Sequence, residues 1–279
     1  MSSFDTIVVG TGVAGLTAAR LIAEAGRKVA TCESYLFGGA IININELDPG
    51  LPDAPASGPE LAAELAEKSR AAGVDSLQGA VTAIAANADG SFSVKAGPAP
   101  LRARSIVCAS GAQLKQLGVP GEALLTGRGV SQCADCDGPL FRGKDVVVVG
   151  GGDSAFQEAL TLAQACKSVL LVHRGREFRA ARRLVDKVQS NAKVRILCDA
   201  TIQAIRGTPY VEGVQIKVDG SVRELKCDGI FPFVGLTPNN GFLPADVERY
   251  EQGFVVTDDN MHTSMANVWA VGAIRSGYR

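Results

Sequence analysis

The chain reads as an α/β protein made of two Rossmann-like, three-layer dinucleotide-binding domains, the first of them discontinuous in sequence. Three observations predict this. A β-rich run, Thr6-Ile7-Val8-Val9, meets the glycine turn Gly10-Thr11-Gly12-Val13-Ala14-Gly15 near the start. A second run, Val146-Val147-Val148-Val149, meets Gly150-Gly151-Gly152-Asp153-Ser154-Ala155 in the middle. Each is followed by a helical pattern and another strand, the syntax of a βαβ nucleotide-binding unit.

In order, the residues from Leu16 to Ala25 predict a helix stopped by Gly26, and Lys28-Val29-Ala30-Thr31-Cys32 predicts a strand ending at Glu33. Ser57-Gly58-Pro59-Glu60 is a capping box with proline in the first turn, and Gly73 closes the helix it opens. Short strands turning at Ala88-Asp89-Gly90 lead to Ser105-Ile106-Val107-Cys108-Ala109-Ser110-Gly111. The second copy repeats the pattern, with a helix to about Cys166, a strand from Ser168 to Val172, a hairpin at Asp219-Gly220, and Gly229-Ile230-Phe231-Pro232-Phe233-Val234-Gly235. Joints are expected near 113–117 and 239–243, which gives one domain from residues 1–112 and 243–279 and another from 113–242. Two further short strands, Phe254-Val255-Val256 and Val268-Trp269-Ala270-Val271, are expected to return to the first domain.

With 279 residues, 46% hydrophobic and 20% charged, the chain can bury two ordinary cores. Net charge is −1, so no overall field draws it to nucleic acid or to an anionic membrane. No apolar run reaches spanning length and the start has no basic, apolar leader pattern, which predicts a soluble, cytoplasmic protein. Seven cysteines, an odd number with only Cys133 and Cys136 close together, fit a reducing compartment.

The glycines of each fingerprint have distinct tasks. The first permits a tight turn, the second lets backbone N–H groups approach a pyrophosphate, and the third allows close helix–strand packing. The two copies differ where the ribose would sit: Glu33 in the first, His173-Arg174 in the second. A carboxylate accepts ribose hydroxyls, whereas a guanidinium suits a 2′-phosphate, so the first site is expected to take FAD or NAD and the second NADP. A solvated basic turn is the competing reading of the second cluster.

Cys133-Ala134-Asp135-Cys136 admits three readings: a redox dithiol, half of a zinc site, or two incidental thiols. Zinc needs four ligands, and only two histidines, His173 and His262, are present. A vicinal pair can close a disulfide and often holds one thiol of lowered pKa. Asp137 follows directly, as a proton donor to a departing thiolate or as a turn-forming Asp-Gly. Phe231, Phe233 and Trp269 read as core residues, and His262 as a loop residue.

The run from Cys133 to Ala180, CADCDGPLFRGKDVVVVGGGDSAFQEAL and then VHRGREFRA, resembles the pyridine-nucleotide half of the low-molecular-weight thioredoxin reductases, class II pyridine nucleotide-disulfide oxidoreductases. GTGVAG with Glu33 and Gly38-Gly39 resembles their FAD half, Ala109-Ser110-Gly111 their Ala-Thr-Gly segment, and Gly235-Leu236-Thr237-Pro238-Asn239 their Gly-x-x-Pro-Asn close. The resemblance covers nearly the whole chain. It implies a homodimeric flavoenzyme in which NADPH, or alternatively NADH, reduces FAD and the electrons pass to a Cys133–Cys136 disulfide. Cys136 would face the flavin, Cys133 would attack a thioredoxin-like protein or a small disulfide, and Asp137 would act as the acid. Cofactor contacts are implied at Gly10, Gly12, Val13, Ala14, Gly15, Glu33, Gly38, Gly39, Asn45, Val81, Ala109, Ser110, Gly111 and Gly272 for FAD. For the pyridine nucleotide they are implied at Gly150, Gly152, Asp153, Ser154, Ala155, His173, Arg174, Arg179 and Gly235. No metal, nucleic acid or membrane is implied.

Three departures refine these expectations. The usual His-Arg-Arg is His173-Arg174-Gly175 here, with Arg176 one place later. Ala273 stands where the family carries an aspartate that bonds the flavin's ribityl chain, and a lost hydrogen bond of this kind is worth on the order of 1 kcal/mol. The sequence stops at Arg279, before a helix expected against the flavin, as in a piece of a longer protein or a degraded flavin site. A flavin dithiol oxidase and a nucleotide-binding homologue with little turnover are the alternative functions.

Overall fold

The structure is a computed structural model that describes residues 2–44, 47, 55–275 and 277. The chain forms two compact units, one of residues 1–113 and 237–279, the other of residues 114–236. The first opens with β1 (Ser3–Val9), α1 (Val13–Glu24), β2 (Val29–Glu33), α2 (Gly58–Ala71), β3 (Asp75–Gln78), β4 (Ala83–Ala86), β5 (Phe92–Lys95), β6 (Leu101–Cys108) and β7 (Ala112–Leu114). The second holds α3 (Glu122–Leu125), α4 (Ala134–Asp137), β8 (Asp145–Gly150), α5 (Asp153–Ala165), β9 (Ser168–Val172), α6 (Arg182–Ser190) and β10 (Val194–Leu197). It continues with β11 (Ala200–Arg206), β12 (Gly213–Val218), β13 (Ser221–Lys226) and β14 (Gly229–Phe233). The chain then passes through β15 (Leu236–Pro238), which pairs with β7, and reaches β16 (Val268–Ala270).

The first unit is a sheet of order β3-β2-β1-β6-β5-β4, with β16 beside β6. Strand β6 pairs with β1 along one edge and shares the other between two neighbours, its first half antiparallel with β5 and its second half parallel with β16. Because strand side chains alternate, Ile7 and Val9 enter the core that holds Ile106 and Val268, while Val8 turns to the opposite face with Ala19 of α1. The capping box at the start of α2 is formed in both directions between Ser57 and Glu60.

In the second unit, β10-β9-β8-β14 is a parallel sheet, and β11-β12-β13 is an antiparallel one. The valine run of β8 is buried on both faces, as parallel strands require. Val146 and Val148 meet Phe156 and Leu162 of α5, whereas Val147 and Val149 meet Ile202 and Ile216 of the antiparallel sheet. The hairpin at Asp219-Gly220 has both residues at positive φ, the geometry a tight two-residue turn needs.

One expected strand is not formed. Val255 makes single bridges to Arg249 and Arg275, and Val256 N–H turns to Glu248 O, so residues 254–256 change partner too often to build a ladder. Cys198 lies in the connection between β10 and β11 and Cys227 in that between β13 and β14. The second crossing lies earlier than the expected joint, because Phe242 and Leu243 join the first core and Phe242 O accepts from Ile84 N–H. Among the described residues no helix is long and apolar enough to cross a membrane.

Candidate functional site

In the first unit a cleft of about 1300 Å³ opens along the ends of the parallel strands. That exceeds the usual range for drug-sized ligands and suits a dinucleotide. Gly10, Gly12, Val13 and Ala14 line it, and Gly12 caps α1 without any side-chain acceptor, leaving the helix end free for an anion. The glycines are needed for different reasons. A Cβ on Gly15 would lie 2.0 Å from Gly10 O, and one on Gly10, itself at φ +99°, would lie 2.5 Å from Ala109 O. A Cβ on Gly12 would meet nothing closer than 3.8 Å. Gly10 and Gly15 therefore permit close packing, and Gly12 keeps the cleft floor clear.

Glu33 ends β2 at the cleft wall. Its Oε2 accepts from Thr11 N–H and Thr11 Oγ1–H, both at 2.9 Å, and its Oε1 from Ser34 N–H at 2.8 Å and Tyr35 N–H at 3.0 Å. Burial pushes the carboxyl pKa up, but the bonds from Tyr35, Thr11 and Ser34 outweigh it and hold the group below the ordinary value of 4.5. Two of the donors on Glu33 are hydroxyls, Thr11 Oγ1 and Ser34 Oγ. Incoming ribose hydroxyls can replace these rotatable donors while the backbone donors stay in place.

Gly38, Gly39, Val81, Ala109, Ser110, Gly111, Gly272 and Ala273 also line this cleft, and Asn45 lies outside the described residues. Asn239, which closes the motif begun at Gly235, also reaches the cleft. Ser110 Oγ donates to Asn239 O at 2.6 Å, Asn239 Nδ2 donates to Ser110 O at 3.0 Å, and Asn239 N–H donates to Gly111 O at 3.0 Å. Thr11 and Asn239 both sit inside motifs legible in the sequence, but only the fold shows that they fix Glu33 and the Ala109–Gly111 turn.

In the second unit the other fingerprint stands between β8 and α5. A Cβ on Gly150 would lie 2.4 Å from Phe233 O and 2.7 Å from Ala155 Cβ, while Gly152 has nothing within 4 Å. Gly152 also caps α5 without a side-chain bond, and Ser154 is exposed. Asp153 is engaged: its Oδ1 accepts from Ala181 N–H at 2.6 Å. Residues 173–181 fold back over the turn, with Arg179 N–H and Ala180 N–H both donating to Gly151 O. The His173 ring lies against Gly151 and its Nε2–H donates to Glu177 O at 3.1 Å, so it supports the loop. The Phe178 ring anchors the loop against Phe156, with centroids 5.0 Å apart. Arg174 and Arg179 are exposed and their guanidinium groups have no partner among the described residues, whereas Arg176 Nε donates to Asp199 Oδ2 at 2.5 Å. Gly235 takes φ +114° and its carbonyl accepts from Lys115 N–H.

Cys133 and Cys136 are joined in a disulfide with a Cα–Cα distance of 5.3 Å. Cys133 caps the short helix α4, and its Sγ accepts from Cys136 N–H at 3.1 Å. Cys136 is exposed, Cys133 is half-buried, and Asp137, half-buried as a residue, closes the helix. Glu158 of α5 touches the same helix, a residue with no distinguishing signal in the sequence. The other cysteines, Cys32, Cys108, Cys166, Cys198 and Cys227, are free. Burial pushes the Cys32 thiol up to about 11 and that of Cys108 up to about 12, so neither supplies a thiolate at neutral pH.

Residues 4–279 match the family described as pyridine nucleotide-disulphide oxidoreductase. The chain is 38% identical to a thioredoxin reductase of Treponema pallidum over 279 residues, covering 99% of this chain and 90% of that one. It is 38% identical to a thioredoxin reductase of Mycolicibacterium smegmatis over 274 residues, covering 96% and 87%. Among solved structures, Lactococcus lactis thioredoxin reductase matches with a TM-score of 0.92 at 34% identity, covering 98% of this chain and 91% of that one. The T. acidophilum enzyme matches with a TM-score of 0.91 at 29% identity, covering 99% and 92%. With two nucleotide fingerprints, a disulfide beside the second of them and this near full-length likeness, the chain belongs to the pyridine nucleotide-disulphide oxidoreductase family, as an oxidoreductase acting on disulfides.

Proposed function

We propose that this chain is an NADPH-dependent flavoprotein disulfide reductase of the thioredoxin-reductase type, with FAD in the cleft of the first unit and NADPH on the fingerprint of the second. The final acceptor is a thioredoxin-like protein or a small disulfide, in keeping with the relatives named thioredoxin reductase. The observation that carries the reading is the Cys133–Cys136 disulfide in the same compact unit as the second fingerprint.

The residues fit such cofactors. Gly10, Gly12 and the open end of α1 suit a pyrophosphate, Glu33 a ribose, and the turn braced by Asn239 the ring end of the cleft. Bound FAD would supply a relay for two electrons from the nicotinamide to the disulfide. Opening the disulfide consumes two electrons and two protons and leaves two thiols. When the Cys133 thiol gives up its proton, the Cys136 N–H stabilises the thiolate on Cys133 Sγ, which favours Cys133 as the sulfur that attacks a partner disulfide. Cys133 forms a mixed disulfide with the partner, Cys136 attacks Cys133 Sγ, and the partner leaves as a dithiol. Asp137, at the end of the same helix, donates a proton to a departing thiolate.

A homodimer is part of the same reading, checked by sedimentation velocity. A cytoplasmic setting is supported by the five free cysteines, which suit a reducing compartment. A second reading, a nucleotide-binding homologue with little turnover, is favoured by Ala273, which puts a methyl group at the cleft wall. One experiment separates the two. Purified protein loaded with FAD should bleach its flavin band on addition of NADPH and recover it on addition of oxidised thioredoxin. A colourless protein that binds NADP but not FAD overturns the reductase reading.

A further inference from the structure

The strand end at which the second unit would meet an adenosine ribose carries an acid as well as bases. Strand β9 ends at Val172, the place from which a Rossmann unit reaches the ribose hydroxyls. The loop that follows supplies Arg174, Arg176 and Arg179. Asp199, from the connection between β10 and β11, is stapled to that loop: its N–H donates to Gly175 O at 3.3 Å, and the next residue, Ala200, donates to His173 O at 3.0 Å. Asp199 takes φ +52°, a left-handed conformation that aspartate tolerates and β-branched residues do not. Its Oδ2 holds Arg176 Nε at 2.5 Å, and that hydrogen bond and charge raise the guanidinium's pKa further.

A 2′-phosphate carries close to two negative charges and needs unpaired cations, while a bare ribose needs an acceptor for its hydroxyls. Arg174 and Arg179 are available for the first task. Arg176 is already paired with Asp199.

We infer that Asp199 is a specificity-determining residue for the pyridine nucleotide: it ties up Arg176 and sets a carboxylate beside the ribose pocket, lowering the preference for NADPH over NADH. The inference rests on the second fingerprint being the pyridine-nucleotide site. If the 2′-phosphate captures Arg176, Asp199 loses its partner next to a new anion. If Arg176 stays, the phosphate has two cations instead of three. Either way Asp199 opposes the phosphorylated cofactor.

The test is calorimetric binding of 2′,5′-ADP and 5′-ADP to the full chain at low salt, a comparison that needs neither flavin nor turnover. Asp199→Asn, which keeps the shape and the backbone preference, should raise the affinity ratio in favour of 2′,5′-ADP by about threefold to fivefold, the scale of one exposed charge pair. Arg176→Gln should lower 2′,5′-ADP binding by less than about twofold alone, and by about threefold to fivefold when combined with Asp199→Asn. Thermal melting reports that each variant is folded. An unchanged ratio in Asp199→Asn, or an equal loss from Arg176→Gln in both backgrounds, overturns the inference and leaves the nucleotide site standing. Failure of the unaltered protein to bind either nucleotide overturns the site reading, and this inference with it.

Discussion

Ala134 N–H donates to Glu158 Oε2 at 2.7 Å, so the first turn of the dithiol helix α4 is held by a carboxylate of the nucleotide-binding helix α5. Burial pushes the Glu158 carboxyl above its ordinary value of 4.5, the Ala134 bond opposes that, and Asp135 adds to it. A carboxyl whose pKa is higher folded than unfolded contributes stability that is fully present below the unfolded value and is lost as pH rises through the folded one. In urea melts of Glu158→Gln and the unaltered protein, the variant should therefore gain relative stability as pH is raised from below 4.5. A difference independent of pH argues against a Glu158 carboxyl whose pKa is raised on folding.

Glu158→Ala removes the acceptor itself. The Ala134 N–H loses its partner, a cost of about 1–3 kcal/mol if water cannot replace it. The expected outcome is lower stability together with an altered Cys133–Cys136 redox potential, measured against a glutathione buffer, whereas Glu158→Gln should restore the potential.

Glu33 has the opposite sign. Its pKa is held below 4.5 in the folded chain, so its contribution is present above the unfolded value and is lost as pH falls through the folded one. Acidification below 4.5 should loosen the Thr11–Tyr35 wall and weaken FAD retention. Glu33→Gln should flatten that dependence, read as flavin fluorescence released against pH.

Two glycine substitutions should separate folding from binding. Gly15→Ala brings a methyl carbon to 2.0 Å from Gly10 O and should cost about 1–3 kcal/mol or more, visible as a lower melting temperature. Gly152→Ala meets nothing within 4 Å, so the protein should melt normally and lose affinity only for the pyridine nucleotide. Equal loss of stability in both would contradict the different tasks assigned to these glycines.

The two sulfurs should also differ. In Cys136→Ser the remaining Cys133 thiol keeps the N–H of residue 136 as a donor, while in Cys133→Ser the Cys136 thiol has no such bond. The pH profile of alkylation by iodoacetamide should have its midpoint at lower pH for Cys133 than for Cys136, a comparison that separates ionisation from exposure. The reverse order would assign the attack on the partner to Cys136.

Much of the fold was legible because local chemistry and global packing agree. The valine run of β8, the glycine turns at Gly10 and Gly150 and the Ser57–Glu60 box each specify their geometry over a few residues. The run at 254–256 misled because β-branched composition predicts a strand only where a partner strand runs alongside, and Val255 has single bridges instead. Glu158 was invisible for a related reason: a glutamate on a helix is ordinary until the fold covers it.

The sequence by itself determined the two nucleotide fingerprints, the vicinal dithiol and the acid–base contrast between Glu33 and Arg174, since each is a local pattern of residue types at short spacing. Only the tertiary structure decided which of these groups are already engaged. Thr11 and Tyr35 bind Glu33, Asp199 binds Arg176, His173 supports Glu177 and Glu158 holds Ala134. Whether a charged or polar group is free for a ligand depends on neighbours brought close by folding, many of them distant in sequence, and a one-dimensional pattern does not record them.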